Sequence, residues 1–113
     1  MTEKMLKFVD IGQQNPPKRD KTDRKDDFNE IYKEFLQDKA KEQSSRCSQC
    51  GVPFCQVHCP LSNNIPDWLK LTAEGRYEEA YHLSQSTNNM PEVCGRICPQ
   101  DRLCEGNCVI EQS

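Results

Sequence analysis

The sequence predicts an all-α domain, a small bundle of helices, and three observations carry that expectation. Apolar residues recur at helical spacing in residues 28–36 and again in 66–85. No convincing pair of strands appears anywhere along the chain. Eight cysteines gather in two sets, Cys47 to Cys59 and Cys94 to Cys108, with none in residues 1–46.

The composition explains why the cysteines matter to the fold. Of 113 residues, 35% are hydrophobic and 29% charged, which leaves one small domain with a thin apolar core. Such chains usually need a metal, disulfides or a partner to stay folded. A net charge of −3 gives no basic field for nucleic acid. No apolar run reaches the roughly 18 residues that span a bilayer, so no membrane role is expected. The first ten residues lack the apolar centre of a signal peptide, which points to a cytoplasmic setting. In that reducing compartment clustered thiols more often hold metal than form a disulfide framework.

Residues 1–25 are expected to be an N-terminal arm and polar linker, and 26–113 a helical metal-binding domain. Leu6, Phe8, Val9 and Ile11 nearly alternate but are too few for a stable strand, so they read as an extended arm or a frayed end. From 12 to 27 the chain is highly charged, and Pro16-Pro17 favours an extended backbone there. Phe28, Ile31, Tyr32, Phe35 and Leu36 then mark one face of a helix over about 26–43. Asn64-Ile65-Pro66 opens a second helix, because proline suits a first helical turn. That helix runs over 66–74, burying Trp68, Leu69 and Leu71 or Thr72, and stops at Gly75. Another covers about 76–85, with Tyr77, Ala80, Tyr81 and Ser84 on one side, making an αα-hairpin. Asn88-Asn89 breaks the pattern, and Pro91 starts a short helical turn that carries Cys94 and reaches towards Cys98.

The first cysteine set reads C-x2-C-x4-C-x3-C-P: Cys47, Cys50, Cys55, Cys59 and Pro60. Two residues between Cys47 and Cys50 let one turn present both thiolates to one centre, and the Gly51–Phe54 loop lets Cys55 return to it. A last cysteine followed by proline is found in bacterial ferredoxins, where it ligates the other of two clusters. The x4 spacing differs from theirs. The second set, Cys94, Cys98-Pro99, Cys104 and Cys108, reads C-x3-C-x5-C-x3-C. Eight cysteines suffice for two [4Fe-4S] clusters, at about four ligands each. Arg46, Arg96 and Arg102 flank these ligands and are candidates to offset the negative charge. Two four-cysteine zinc sites are the runner-up, since C-x2-C also suits zinc. A nucleophilic cysteine paired with His58 or His82 is a weaker third reading, and no other acid–base constellation is present.

The two sets, with Asn64-Ile65-Pro66, Cys94-Gly95-Arg96-Ile97-Cys98-Pro99 and Leu103-Cys104-Glu105-Gly106-Asn107-Cys108, closely resemble the small-subunit family of bacterial NADPH-dependent glutamate synthases. Asn15-Pro16-Pro17-Lys18-Arg19 and Asp27-Phe28-Asn29-Glu30-Ile31-Tyr32 extend the resemblance over nearly the whole chain. A similar helical domain occurs in the N-terminal part of dihydropyrimidine dehydrogenase and related flavoproteins. The resemblance implies an α-helical ferredoxin-like domain wrapped around two [4Fe-4S] clusters. It assigns Cys47, Cys50, Cys55 and Cys108 to one cluster, and Cys59, Cys98 and Cys104 to the other. The fourth ligand of the second is either Cys94 or a non-cysteine side chain further downstream. The implied role is an electron-transfer module, incomplete as an enzyme, on a path from NADPH-reduced FAD to the glutamate-forming large subunit. FAD and NADPH are expected in a part of the small subunit outside these 113 residues, which contain no G-x-G-x-x-G fingerprint. The expected partners are the rest of that subunit and the large subunit. The alternatives are a related flavin and iron–sulfur oxidoreductase, or a zinc-stabilised docking module.

Overall fold

Pro66 and Gly75 define the element against which the rest is built. Asn64-Ile65-Pro66 opens a helix over Ile65–Ala73 with proline in its first turn, where the missing N–H costs nothing. Gly75 ends it at φ +79°, in the left-handed region that glycine enters without strain. The chain reverses at once into a helix over Tyr77–Ser86. Pro66 and Ala73 on the first helix and Ala80 on the second are buried, while Trp68 and Leu69 are half-buried. The expected αα-hairpin is therefore present, within a residue or two of its expected ends. Tyr81, expected on the packed side, is exposed.

The computed structural model describes residues 5–111. Its helices, in chain order, are α1 (Lys21–Asp26), α2 (Gln37–Ser44), α3 (Phe54–His58), α4 (Ile65–Ala73), α5 (Tyr77–Ser86) and α6 (Pro91–Ile97), with short 3-10 turns at Lys7–Val9, Gln100–Arg102 and Glu105–Asn107. α2 and α5 both pack on α4, and α3 bridges α4 and the last 3-10 turn. Among the described residues the sole β feature is an isolated antiparallel bridge between Lys18 and Tyr32. The domain is all-α, as expected. Among the described residues no helix is long and apolar enough to cross a membrane.

The helix expected over 26–43 is a correction. α1 ends at Asp26, Asp27 is extended, and helix resumes only at Gln37. The cause is a competing set of polar contacts. The Arg19 guanidinium donates to both Asp27 carboxylate oxygens, at 2.6 and 3.0 Å. The same carboxylate accepts the Asn29 N–H at 3.0 Å, a local turn that offers the backbone an alternative to helix. Those bonds, with the Arg19 contact the largest cause, hold the Asp27 carboxyl at about 2. The extended Pro17–Arg19 segment then pairs with 31–33: Arg19 N–H donates to Ile31 O at 2.8 Å, and Lys33 N–H to Pro17 O at 2.7 Å. Phe28 is fully exposed and Leu36 is 70% exposed, so the apolar stripe does not form core.

The N-terminal arm packs on this domain. Leu6 N–H donates to Cys47 O and Lys7 N–H to Ser45 O, each at 3.0 Å. Arg46 Nε reaches back to Ile11 O at 2.7 Å. Gln43 brackets the arm from the other side, accepting from Gln14 N–H at 2.8 Å and donating to Gly12 O at 3.1 Å. The arm is thus laid along residues 43–47, at the entrance to the first cysteine set; its first four residues lie outside those described.

Gly75→Ala tests the hairpin. It places a Cβ in the left-handed region, at a cost of about 1–2 kcal/mol, and 2.9 Å from the movable end of Lys41. Urea unfolding of the anaerobically prepared protein is expected to show that loss; an unchanged midpoint would mean the turn carries no constraint.

Candidate metal centres

The cysteines are delivered by short helical pieces whose ends are set by the ligands' own neighbours. Pro53 precedes α3, which carries Cys55, and Cys59 lies just past its end, where the backbone turns extended. Cys94 lies in α6, and Cys98 caps that helix by donating its N–H to Cys94 O at 3.0 Å. Cys104 and Cys108 flank the Glu105–Asn107 turn. Gly106 is needed in that turn, since a Cβ there would run into the Asp101 carbonyl of the preceding turn. Contact between α3 and this turn returns the second set to the first.

All eight cysteines are half-buried and free of disulfides. A cavity of about 340 Å³ has Cys59, Cys94, Cys98 and Cys104 in its wall, together with Asn63, Trp68 and Asn88. One cysteine of the first set and three of the second therefore border one space. Burial pushes the Cys55 thiol up to about 11; the Gln56 N–H opposes the shift, and Cys108, Cys47 and Cys104 add to it. Cys55 is thus within electrostatic reach of Cys47, Cys104 and Cys108, from both cysteine sets. Burial also raises the Cys104 thiol, with Glu105 and Cys98 contributing. Cys50 is half-buried, its sulfur 2.9 Å from Ser48 Oγ.

Hydrogen-bond donors already address several sulfurs. Gln49 presents both its backbone N–H, at 3.4 Å, and its side-chain amide, at 3.3 Å, to Cys47 Sγ. Asn88 Nδ2 donates to Cys94 Sγ at 3.3 Å. Neither residue was singled out as a sulfur partner by the sequence, where Gln49 is one of two residues between cysteines and Asn88 only a helix breaker.

Among the described residues no three Cys, His, Asp or Glu side chains converge as ligands of one ion would. Four sulfurs around one zinc would each lie about 2.3 Å from it. The cavity walled by Cys59, Cys94, Cys98 and Cys104, about 340 Å³, is larger than a single ion needs. Arg46, the residue before Cys47, is 8% exposed, and its Nη2 is buried with no hydrogen-bond partner. Arg96 is exposed and pairs with Glu30 at 2.6 Å, and Arg102 is exposed. Of the three candidate cations, Arg46 is the buried one, and its Nε donates to Ile11 O at 2.7 Å. His58 and His82 are both exposed, and the His58 ring closes on Phe54 O at 2.9 Å within its own helix. Neither sits as the base of a cysteine nucleophile. A larger groove of about 750 Å³, between residues 13–16, residues 30–35 and α6, includes no cysteine in its wall.

Comparison with known proteins gives a consistent picture. Residues 24–113 match the family described as dihydropyrimidine dehydrogenase domain II, 4Fe-4S cluster. The chain is 70% identical over 111 residues to the glutamate synthase [NADPH] small chain of Azospirillum brasilense, covering 98% of this chain and 23% of that protein. It is 51% identical over 110 residues to the small chain of Escherichia coli, with 97% and 23% covered. It is 38% identical over 112 residues to that of Bacillus subtilis, with 91% and 22% covered. The chain thus spans under a quarter of the length of these relatives.

The raised thiols set an order of reactivity for the metal-free chain. The protonated form of Cys55 is favoured up to about 11, whereas an ordinary thiol is about half ionised near pH 8.5. With iodoacetamide at pH 8.5, Cys55 and Cys104 are expected to be alkylated last, read by peptide mass spectrometry. Equal rates at all eight positions would contradict the burial seen here.

Proposed function

This chain belongs to the dihydropyrimidine dehydrogenase domain II, 4Fe-4S cluster family, and on that footing we propose that it is the electron-transfer module of a glutamate synthase small subunit, built to hold two [4Fe-4S] clusters. The observation that carries this reading is the cavity walled by Cys59, Cys94, Cys98 and Cys104, drawn from both cysteine sets. The small-chain relatives, matched along almost the whole chain, supply the physiological setting.

One cluster is held by Cys47, Cys50, Cys55 and Cys108, and the other by Cys59, Cys98, Cys104 and Cys94. Support for the first set is that Cys108 and Cys47, along with Cys104, act electrostatically on the Cys55 thiol; support for the second, including Cys94 as its fourth member, is their shared cavity. Residues 26–113 form the cluster-bearing unit, with 1–25 as an arm and linker. The protein's own groups act by binding and by charge. Buried thiols give up their protons to become ligands, so loading favours higher pH and couples to folding. Arg46 supplies a buried positive charge beside Cys47, and Gln49 and Asn88 place N–H donors on ligand sulfurs. When bound, the clusters supply one-electron carriers between an FAD reduced by NADPH and the glutamate-forming large subunit.

FAD and NADPH binding belong to the rest of the small subunit, and the partners are that remainder and the large subunit, with neither nucleic acid nor membrane involved. A reducing cytoplasmic setting is part of the same proposal. No residue here is assigned a catalytic role.

The assignment is tested by cysteine-to-serine variants and electron paramagnetic resonance of the reduced protein. Cys50→Ser and Cys108→Ser are expected to damage one signal, and Cys59→Ser and Cys94→Ser the other. A common loss in Cys50→Ser and Cys59→Ser would reject the interleaved ligand sets. A wild-type Cys94→Ser spectrum would remove Cys94 from the second.

A further inference from the structure

Gln49 occupies an unusual position in the first cysteine set. Its backbone φ is 52°, in the left-handed region that residues other than glycine seldom enter. That conformation accompanies the turn of its N–H back onto Cys47 Sγ, 3.4 Å away. The side-chain Nε2 lies 3.3 Å from the same sulfur and 2.7 Å from Pro66 O. A primary amide carries two hydrogens, so one nitrogen serves the sulfur and the carbonyl together. Pro66 is buried in the first turn of α4. Gln49 therefore links a ligand sulfur to the hairpin on which the fold is built.

We propose that Gln49 is a positioning residue that fixes the Cys47 thiolate against α4 and raises the reduction potential of the cluster that Cys47 helps to hold. The inference rests on the iron–sulfur reading above. Its physical basis is charge. Reduction adds an electron to an already anionic group, and N–H donors on a ligand sulfur disperse that charge. Hydrogen bonding to the sulfurs is among the factors that set such potentials, and partners beyond the ligands orient them. Two donors from one residue converge on Cys47 Sγ, and only the side-chain donor can be removed by substitution. If Gln49 served only to brace Pro66 O, its loss would weaken the fold without moving a potential.

Gln49→Met keeps the length of the side chain and removes its donors. Anaerobic redox titration followed by electron paramagnetic resonance is expected to show one cluster shifted to more negative potential in Gln49→Met, with the other at its wild-type value. Both midpoints at wild-type values, with full iron and sulfide content, would overturn the proposal and leave the cluster reading intact. Wild-type protein without iron and sulfide would overturn that reading itself. If Gln49→Met fails to retain a cluster, Gln49→Asn takes its place, since asparagine tolerates the left-handed backbone but its shorter amide withdraws from the sulfur. A negative shift of the same single cluster in Gln49→Asn supports the proposal, and an unshifted midpoint overturns it.

Discussion

Burial of thiol groups from both cysteine sets, Cys47 to Cys59 and Cys94 to Cys108, is the constraint on which this structure depends. Among the described residues Ala73 and Ala80 are the buried apolar side chains that form the core proper, far too little to hold a domain of this size together by hydrocarbon alone. The cysteines occupy the space where a larger domain would place leucine and isoleucine. Thiols in that position are uneasy without metal: burial pushes Cys55 up to about 11 and raises Cys104. Metal coordination changes the balance by taking the thiolate form and joining distant segments, so that ligation and folding become one process.

The remaining elements arrange themselves around that requirement. The α4–α5 hairpin gives a rigid wall, and α3 lies between it and the last 3-10 turn. The N-terminal arm closes over residues 43–47 through main-chain hydrogen bonds and the buried Arg46. A buried guanidinium with an unused donor is costly unless negative charge lies nearby. Gln49 and Asn88 add neutral donors, one to a sulfur of each cysteine set. Charge compensation is thereby spread over several groups rather than given to one ion pair.

What could be read from the sequence followed the range of the interactions involved. Pro66 and Gly75 act on their own residues, and the hairpin lies almost where those residues predict it. Cysteine spacing is also local information, and it identified the ligand candidates. The expected helix over 26–43 failed because its competitor, the Arg19–Asp27 pair with the Lys18–Tyr32 bridge, brings together residues whose pairing no periodicity encodes. An apolar stripe at helical spacing was present, but Phe28 and Leu36 point to solvent. The roles of Gln49 and Asn88 were hidden for a related reason. Each depends on a sulfur or carbonyl that approaches only once the turns are formed, and amide residues in such loops have no distinctive pattern.

Mössbauer spectroscopy on protein loaded anaerobically with ⁵⁷Fe, alongside metal and acid-labile sulfide analysis, decides whether the eight cysteines of the two sets hold two four-iron clusters. About eight irons and about eight sulfides per chain are expected, all in four-iron cubane environments of two kinds. Stoichiometric zinc without sulfide, or iron for a single cluster in fully loaded protein, would contradict it.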